Sequence, residues 1–95
     1  MQRIEIIANN AVEEDIMAAL ADKKVNKFFT RLNSAHGSGY SDPKMGDPVW
    51  PEENFVLIIY CDDEEGKIIK KTVESVKLKF PDEGIRCFAI PFQEI

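Results

Sequence analysis

Apolar residues mark four short segments of the chain, mostly at alternate positions, which is the pattern of β-strands with one buried face. The predicted strands cover residues 3–8, 27–32, 55–61 and 85–90. The third strand, FVLIIYC, is apolar at both sets of alternate positions, so both of its faces require cover. Pro91 has no amide donor and is expected at a sheet edge.

Two further segments carry apolar residues three and four positions apart, which indicates amphipathic helices over residues 11–23 and 63–80. Each helix has a pair of residues with capping-box spacing at its start, Asn10 with Glu13 and Asp62 with Glu65. The stripes predicted to face the core are Val12, Ile16, Ala19 and Leu20 in the first helix and Ile69, Val73, Val76 and Phe80 in the second.

The order of elements, β-α-β-β-α-β, predicts an α+β fold of the ferredoxin-like type, with a four-stranded antiparallel sheet and two helices. We expect residues 1–95 to form one such domain. Right-handed crossovers place the first and third strands in the middle of the sheet and both helices on one face. Because the third strand is apolar on both faces, the other face of the sheet is expected to pack against further subunits.

A long loop, residues 33–54, separates the second and third strands. It contains three glycines, three prolines, the only His and the only Trp of the chain. Loops beyond about 12–15 residues are uncommon in compact domains and are usually functional or disordered. The loop is therefore the first place to expect function.

Charge and composition exclude several classes of function. The net charge is −5, from 12 basic and 17 acidic side chains, and no Lys- or Arg-rich tract occurs, so nucleic-acid binding is not expected. Apolar runs are short and the N-terminus lacks a signal-peptide layout, which predicts a cytoplasmic protein without membrane insertion. Cys61 and Cys87 lie in predicted strands and are expected to be reduced thiols instead of a disulfide or a metal pair.

Residues in the loop permit more than one chemistry. The segment from His36 to Gly39, HGSG, forms either a backbone nest for an anion or a flexible hinge. Trp50 is either a recognition anchor for a partner or a side chain that pins the loop. A divalent-metal site is an alternative, and its candidate ligands are His36, Asp42, Asp47 and Glu52.

The sequence contains no recognisable catalytic arrangement and no Walker loop, so an enzyme is not expected. A small enzyme on a ferredoxin-like fold remains a third hypothesis. In that case His36, the only histidine of the chain, would have to act as the acid or base.

Several segments, in the right order, resemble the PII nitrogen-regulatory proteins. The opening MQRIEII and the later EDI and AL resemble the family's M-K-x-I-E-A-I-I and L-D-D-V-x-x-A-L. The C-terminal FAIPFQEI resembles F-V-x-P-V-E-E-V, and Gly37-Ser38-Gly39 stands where the family has G-F-G, at the entrance to its T-loop. Loop 33–54 is then the T-loop equivalent.

The resemblance implies a homotrimeric signalling protein that packs its sheets inward and binds a small-molecule effector in clefts between subunits. The loop would report occupancy to a protein partner, such as an enzyme, transporter or regulator. Candidate ligand-binding residues are Gly37, Gly39, Arg86 and His36, and candidate partner-binding residues are Trp50 and Tyr40. Tyr40 lies near the loop entrance, away from the context that the family modifies.

The turn before the last strand departs from the family pattern. PII proteins have a Gly- and Lys-rich phosphate-binding turn there, T-G-x-x-G-D-G-K-I-F, whereas this chain reads FPDEGIRCF. Arg86 matches the family's phosphate-contacting Lys, but Asp82 and Glu83 would repel a phosphate at close range. The resemblance therefore does not carry ATP or ADP binding in the family's usual mode over to this chain, and it does not identify a cofactor.

Overall fold

The computed structural model of the protein describes residues 1–39 and 42–95. Its strands are β1 (Gln2–Asn9), β2 (Phe29–Ala35), β3 (Asn54–Cys61) and β4 (Arg86–Pro91), and its α-helices are α1 (Glu13–Asp22) and α2 (Asp63–Lys79). All three strand pairings are antiparallel, and the sheet order is β2-β3-β1-β4. The predicted ferredoxin-like α+β fold, with the first and third strands central, is confirmed.

One face of the sheet and the two helices enclose the core. The stripes predicted for the helices are correct, since Ile16, Leu20, Ile69 and Val73 are at most 1% exposed. Alternate residues of β1 and β3 meet them from the sheet and are also buried: Ile4, Ile6, Ala8, Phe55, Leu57, Ile59 and Cys61. Each buried Leu, Ile or Phe contributes about 1.5–3 kcal/mol, so this layer supplies most of the drive to fold.

The two predicted helix caps have different outcomes. Asp62 caps α2 as predicted, and its Oδ1 accepts the Glu65 amide at 2.8 Å. The prediction for Asn10 is wrong by one residue. Asn9 caps instead, because the chain leaves β1 through a short 3₁₀ turn, Asn10–Val12, whose Ala11 amide donates to Asn9 Oδ1 at 3.1 Å.

The second strand lies later in the chain than predicted. It spans Phe29–Ala35 and not residues 27–32, because Val25 folds back to bury its side chain in the core and its amide donates to the Leu20 carbonyl. A bulge between Leu32 and Ala35 then extends the strand, with Ser34 in the left-handed region at φ 56°. The loop predicted at residues 33–54 is consequently shorter and runs from 36 to 53.

The other face of the sheet carries no element in the described parts of the chain, and we call it the open face. Its apolar side chains are only partly covered; Leu32, Tyr60, Phe88 and Ile90 are 41–51% exposed. The strand register assigns to this face Thr30 and Leu32 of β2, Val56, Ile58 and Tyr60 of β3, Arg3, Glu5 and Ile7 of β1, and Arg86, Phe88 and Ile90 of β4. Within residues 1–39 and 42–95, no helix has the length and apolar character needed to cross a membrane.

The two cysteines are free. Cys61 lies beside Gln2 in the β1–β3 register and Cys87 lies beside Ile6 in the β1–β4 register. Two strand spacings and four residues separate them, about 10 Å across and 13 Å along the sheet, which is too far for a disulfide.

Candidate functional site

A cavity of about 460 Å³ lies where the 36–53 loop meets the open face, and we call it the loop-base cavity. Its floor is apolar and comes from three strands, through Ile7, Val56 and Phe88. Its walls come from the loop and from the start of β4. The residues that form these walls are Ala35, His36, Gly37, Ser38, Gly39, Asp42, Lys44, Asn54, Gly84 and Arg86.

Lys44 is the buried cation of this cavity. Only 6% of the residue is exposed, although lysine is rarely buried unless it is paired. Its Nζ donates to the Asp42 carbonyl at 2.6 Å and lies 3.5 Å from the Glu52 carboxylate. A two-way backbone bridge holds it in place, since the Gly37 and Lys44 amides each donate to the other residue's carbonyl, at 2.9 and 2.7 Å.

Asn9 fastens the loop to the body of the protein. Its side-chain amide nitrogen donates to Glu52 Oε2 at 2.7 Å and to Glu83 Oε2 at 3.1 Å, while its oxygen caps the 3₁₀ turn. The residue is 4% exposed. Lys44, Glu52 and Asn9 therefore form a continuous polar chain from the cavity to the end of β1.

The loop carries a second side-chain contact, which connects its first and last residues. His36 Nε2 lies 2.6 Å from Glu53 Oε2, and the Asn10 amide donates to the Glu53 carbonyl at 3.0 Å. Gly46 packs directly against this pair with φ at +66°. A Cβ at Gly46 would lie 2.7 Å from His36 Nε2 and 2.9 Å from Glu53 Oε2 and would displace the ends of these two side chains. The positive φ is the stronger reason for glycine at this position.

The tip of the loop is a tight turn that displays Trp50. Asp47 Oδ1 accepts the amides of Val49 and Trp50 at 3.0 and 2.6 Å, and the Asp47 amide donates to the Trp50 carbonyl. Trp50 is 38% exposed and its neighbour Val49 is 74% exposed. Trp50 does not line the loop-base cavity.

The four residues predicted to bind a ligand, His36, Gly37, Gly39 and Arg86, all line this cavity. Neither Gly37 nor Gly39 has a positive φ. The Gly37 amide donates to Lys44 and so points away from a ligand in the cavity. The anion nest predicted for this segment therefore lacks the Gly37 donor. Tyr40, one of the two candidates for partner contact, lies outside the described residues.

Arg86 reaches the cavity from the start of β4, and its guanidinium also lies over the Phe88 ring at 5.5 Å from the ring centre. The two carboxylates expected to repel a phosphate, Asp82 and Glu83, are not among the residues that line the cavity. Glu83 turns toward Asn9. Of the residues of this turn, Gly84 lines the cavity, whereas Asp82 and Glu83 do not.

The candidate metal ligands do not converge. No group of three or more His, Cys, Asp and Glu side chains suited to a metal occurs among residues 1–39 and 42–95. His36 is paired with Glu53, Asp47 is engaged in the turn at the loop tip, and Glu52 faces Asn9 and Lys44. No observation in this region favours the metal-responsive alternative.

A second groove, about 540 Å³, lies between α2 and β4. It is larger than the loop-base cavity, but its cations are the exposed lysines Lys67, Lys70 and Lys77, with Asp63 and Glu74 among them. Arg86 is shared between the two. The loop-base cavity is the stronger candidate site for two reasons. A buried lysine lines it, and residues of the 36–53 loop form its walls, where a ligand could contact them.

Sequence reasoning did not identify Lys44 or Asn9. Lys44 is the only Lys or Arg in residues 33–54, a signal that was available beside the glycine motif. Its burial depends on the backbone bridge to Gly37, which no local pattern reports. Asn9 and Asn10 are adjacent residues of the same type, so the sequence alone does not show which of them caps the turn before α1.

Comparison with known proteins gives matches at the level of structure. No protein-family model matches the sequence. No curated protein matches it either. Solved structures do match. CPII from Thiomonas intermedia K12, bound to ADP and bicarbonate, is 17% identical with a TM-score of 0.72, over 94% of this chain and 82% of CPII.

Two more structures give the same result. CPII with ADP, AMP and bicarbonate, described as a nitrogen regulatory PII-like protein, matches with 18% identity and a TM-score of 0.69, over 99% of this chain and 94% of that one. A protein of Thermus thermophilus described as PII-like and signalling matches with 19% identity and a TM-score of 0.66, over 94% and 83%. The resemblance noted in the sequence is thus confirmed in three dimensions, and this chain has the fold of the PII-like signalling proteins.

Proposed function

We propose that this protein is a PII-like regulatory protein that binds a small anionic effector in the loop-base cavity. The observation that carries this proposal is the convergence of Lys44, Arg86 and His36 around one apolar-floored cavity. Asp42 is the only acidic side chain among the described residues that line it. Lys44 and Arg86 outnumber Asp42 along the lining, while Glu52 and Glu53 contact Lys44 and His36 without lining the cavity themselves. Cations that line a cleft raise the local concentration of an anion.

A second copy packed on the open face would also cover the floor of the cavity. Its floor residues Ile7, Val56 and Phe88 belong to the open face, whose apolar side chains remain half exposed in one chain. Packing of open faces around a threefold axis would bury them and close the cavity from outside. We therefore propose a homotrimer with the effector between subunits.

The structural neighbours guide the choice of effector. CPII has been solved with ADP, AMP and bicarbonate. Nucleotides and bicarbonate share the anionic character that Lys44 and Arg86 would recognise, and a guanidinium can hold a phosphate or carboxylate through two parallel hydrogen bonds. These anions are the first ligands to test.

The 36–53 loop is proposed as the output. Glu52 contacts Lys44 at the cavity and, through the backbone hydrogen bond from Gly46 to the Glu52 carbonyl at 3.1 Å, is linked to the turn that displays Trp50. An anion that draws Lys44 away from Glu52 would loosen this link. Trp50 is the proposed contact for a protein partner, since exposed tryptophan is a frequent anchor at interfaces.

Thermal denaturation with a panel of anions tests the binding proposal. A ligand of the folded state at about 100 times its Kd stabilises by about 2.7 kcal/mol, which raises Tm by several degrees. We expect such a rise with at least one of ADP, AMP, bicarbonate and inorganic phosphate. The rise should disappear in Lys44→Met and remain in Lys71→Met, which removes an exposed lysine of α2. Unchanged midpoints for the wild type with every anion would contradict the proposal.

A further inference from the structure

The open face carries one pair of opposite charges in an otherwise mostly apolar surface. Arg3 and Glu5 lie two residues apart on the central strand β1, so both side chains point to this face. Arg3 Nη2 lies 2.9 Å from Glu5 Oε2. Their neighbours across the strands are Tyr60 and Ile90 beside Arg3 and Ile58 and Phe88 beside Glu5.

The Arg3 guanidinium is only partly satisfied within one chain. Its Nη1 donates to the Tyr60 hydroxyl at a long 3.4 Å, and its carbon lies 5.9 Å from the centre of the Tyr60 ring. Its Nε is buried and has no hydrogen-bond partner among the described residues. The Arg3 side chain is nevertheless 35% exposed, and a guanidinium has five N–H donors, so donor capacity remains for an acceptor of a second copy.

We propose that Arg3 and Glu5 exchange partners between copies, so that Arg3 of one subunit pairs with Glu5 of the next. This inference rests on the proposed homotrimer and names the contact that specifies it. In a cyclic assembly with the open faces inward, each face meets another of the same kind. A second copy therefore brings a carboxylate for every guanidinium, together with apolar surface for Tyr60, Phe88 and Ile90. A partner of another kind would need both features in the same arrangement.

Charge reversal separates pairing between chains from pairing within a chain. Arg3→Glu gives a chain with two acidic residues on this face, and Glu5→Arg gives a chain with two basic ones. We expect each variant alone to dissociate at least about tenfold more readily than the wild type, because like charges then meet across the interface. In an equimolar mixture, a mixed trimer has two opposite-charge contacts and one like-charge contact, so mixed assemblies should form more readily than those of either variant alone but dissociate more readily than the wild type, with mixed masses in native mass spectrometry. The double variant Arg3→Glu/Glu5→Arg should assemble as the wild type does.

Two controls accompany this experiment. Lys71→Glu and Glu14→Arg make the same charge changes at exposed helical positions and should leave the assembly unchanged. Circular dichroism verifies that each variant is folded, and recovery in the mixture excludes misfolding as the cause of dissociation.

The outcomes are distinct. An oligomeric wild type whose dissociation constant is unchanged in both single variants overturns this inference and leaves the proposed effector site standing. Dissociated variants that do not form mixed assemblies also overturn it. A wild type that is monomeric at every concentration overturns both the pairing and the proposed trimer, whereas effector binding is judged separately by the thermal measurement above.

Discussion

Asn9 connects three parts of the molecule through one side chain. Its oxygen caps the turn before α1, and its nitrogen holds Glu52 of the loop and Glu83 of the turn before β4. Both carboxylates approach the same amide group, so without it two negative charges would face each other. The residue is buried, which makes each of these hydrogen bonds costly to lose.

We expect Asn9→Ala to lower the free energy of unfolding by about 1–3 kcal/mol, through loss of the cap and of the two bonds to carboxylates. Asn10→Ala is the matched control. Asn10 is exposed, and only its main-chain amide bonds to Glu53, so its substitution should change stability by less than about 0.5 kcal/mol. Urea denaturation measures both. Equal effects at the two positions would contradict the assignment of the cap to Asn9.

The two thiols are predicted to be poorly reactive in the folded protein. Burial is the main cause that raises the pKa of both Cys61 and Cys87, so the thiolate fraction of each at neutral pH is lower than that of an ordinary thiol. Because the pKa of each thiol is higher in the folded state, folding favours the protonated form. The contribution of each thiol to the free energy of unfolding is therefore fully present below the ordinary thiol pKa and is lost as the pH rises through the pKa of the folded state.

Labelling with a thiol reagent at pH 7 should therefore be slow in the native protein and fast after unfolding. Cys61 should be the slower of the two, since it is 5% exposed whereas Cys87 is half-buried. Rates should increase as the pH is raised above the ordinary range of cysteine. Rapid native labelling of Cys61 at pH 7 would show that its strand is not packed as described.

At the scale of elements, the 36–53 loop is ordered by specific contacts at both ends and at its tip. The Gly37–Lys44 bridge closes its first part, the contacts of Glu52 and Glu53 close its last part, and the Asp47 turn shapes the tip. Gly46 stands between the first and last parts, against the His36–Glu53 pair. These contacts define the arrangement of residues 36–39 and 42–53, among which Gly46, a glycine that the sequence did not single out, has a positive φ.

Gly46→Ala should disturb this arrangement and Gly39→Ala should not. Alanine at Gly46 requires a left-handed backbone and would overlap His36 and Glu53, for an expected cost of about 1–3 kcal/mol. A Cβ at Gly39 meets nothing within 4 Å among the described residues. Thermal denaturation reports the cost, and fluorescence of Trp50, the only tryptophan, reports the loop tip. If the two variants have the same midpoint and emission, Gly46 does not control the loop.

At the scale of the whole molecule, the sequence predicted the features that depend on the periodic spacing of apolar residues. The alternating and helical spacings of apolar residues determine the element types and hence the ferredoxin-like topology, because few topologies satisfy the handedness of the crossovers. The two-sided apolar character of β3 predicted the uncovered face that the structure contains. These features depend on many residues, so an error of one or two positions does not change them.

The parts that could not be predicted depend on single contacts between distant residues. β2 begins two residues late because Val25 is drawn into the core, and the cap moves from Asn10 to Asn9 because a 3₁₀ turn precedes α1. Lysine is normally exposed, so the burial of Lys44 follows only from the bridge to Gly37 and the carboxylate of Glu52. The site residues predicted from the glycine motif line the cavity, but the buried cation among them was not foreseen.

We propose that Lys44 and Arg86 make the loop-base cavity a site for an anionic effector. Isothermal titration of the wild type, Lys44→Met and Lys70→Met with ADP, AMP and bicarbonate tests it most directly. Lys70 lines the other groove and serves as the matched control. We expect the wild type and Lys70→Met to bind at least one of these anions with the same affinity. Lys44→Met should bind that anion at least about tenfold more weakly, because one charge-assisted hydrogen bond is lost. Equal affinity in Lys44→Met, or no binding of any of the three anions by the wild type, would contradict it.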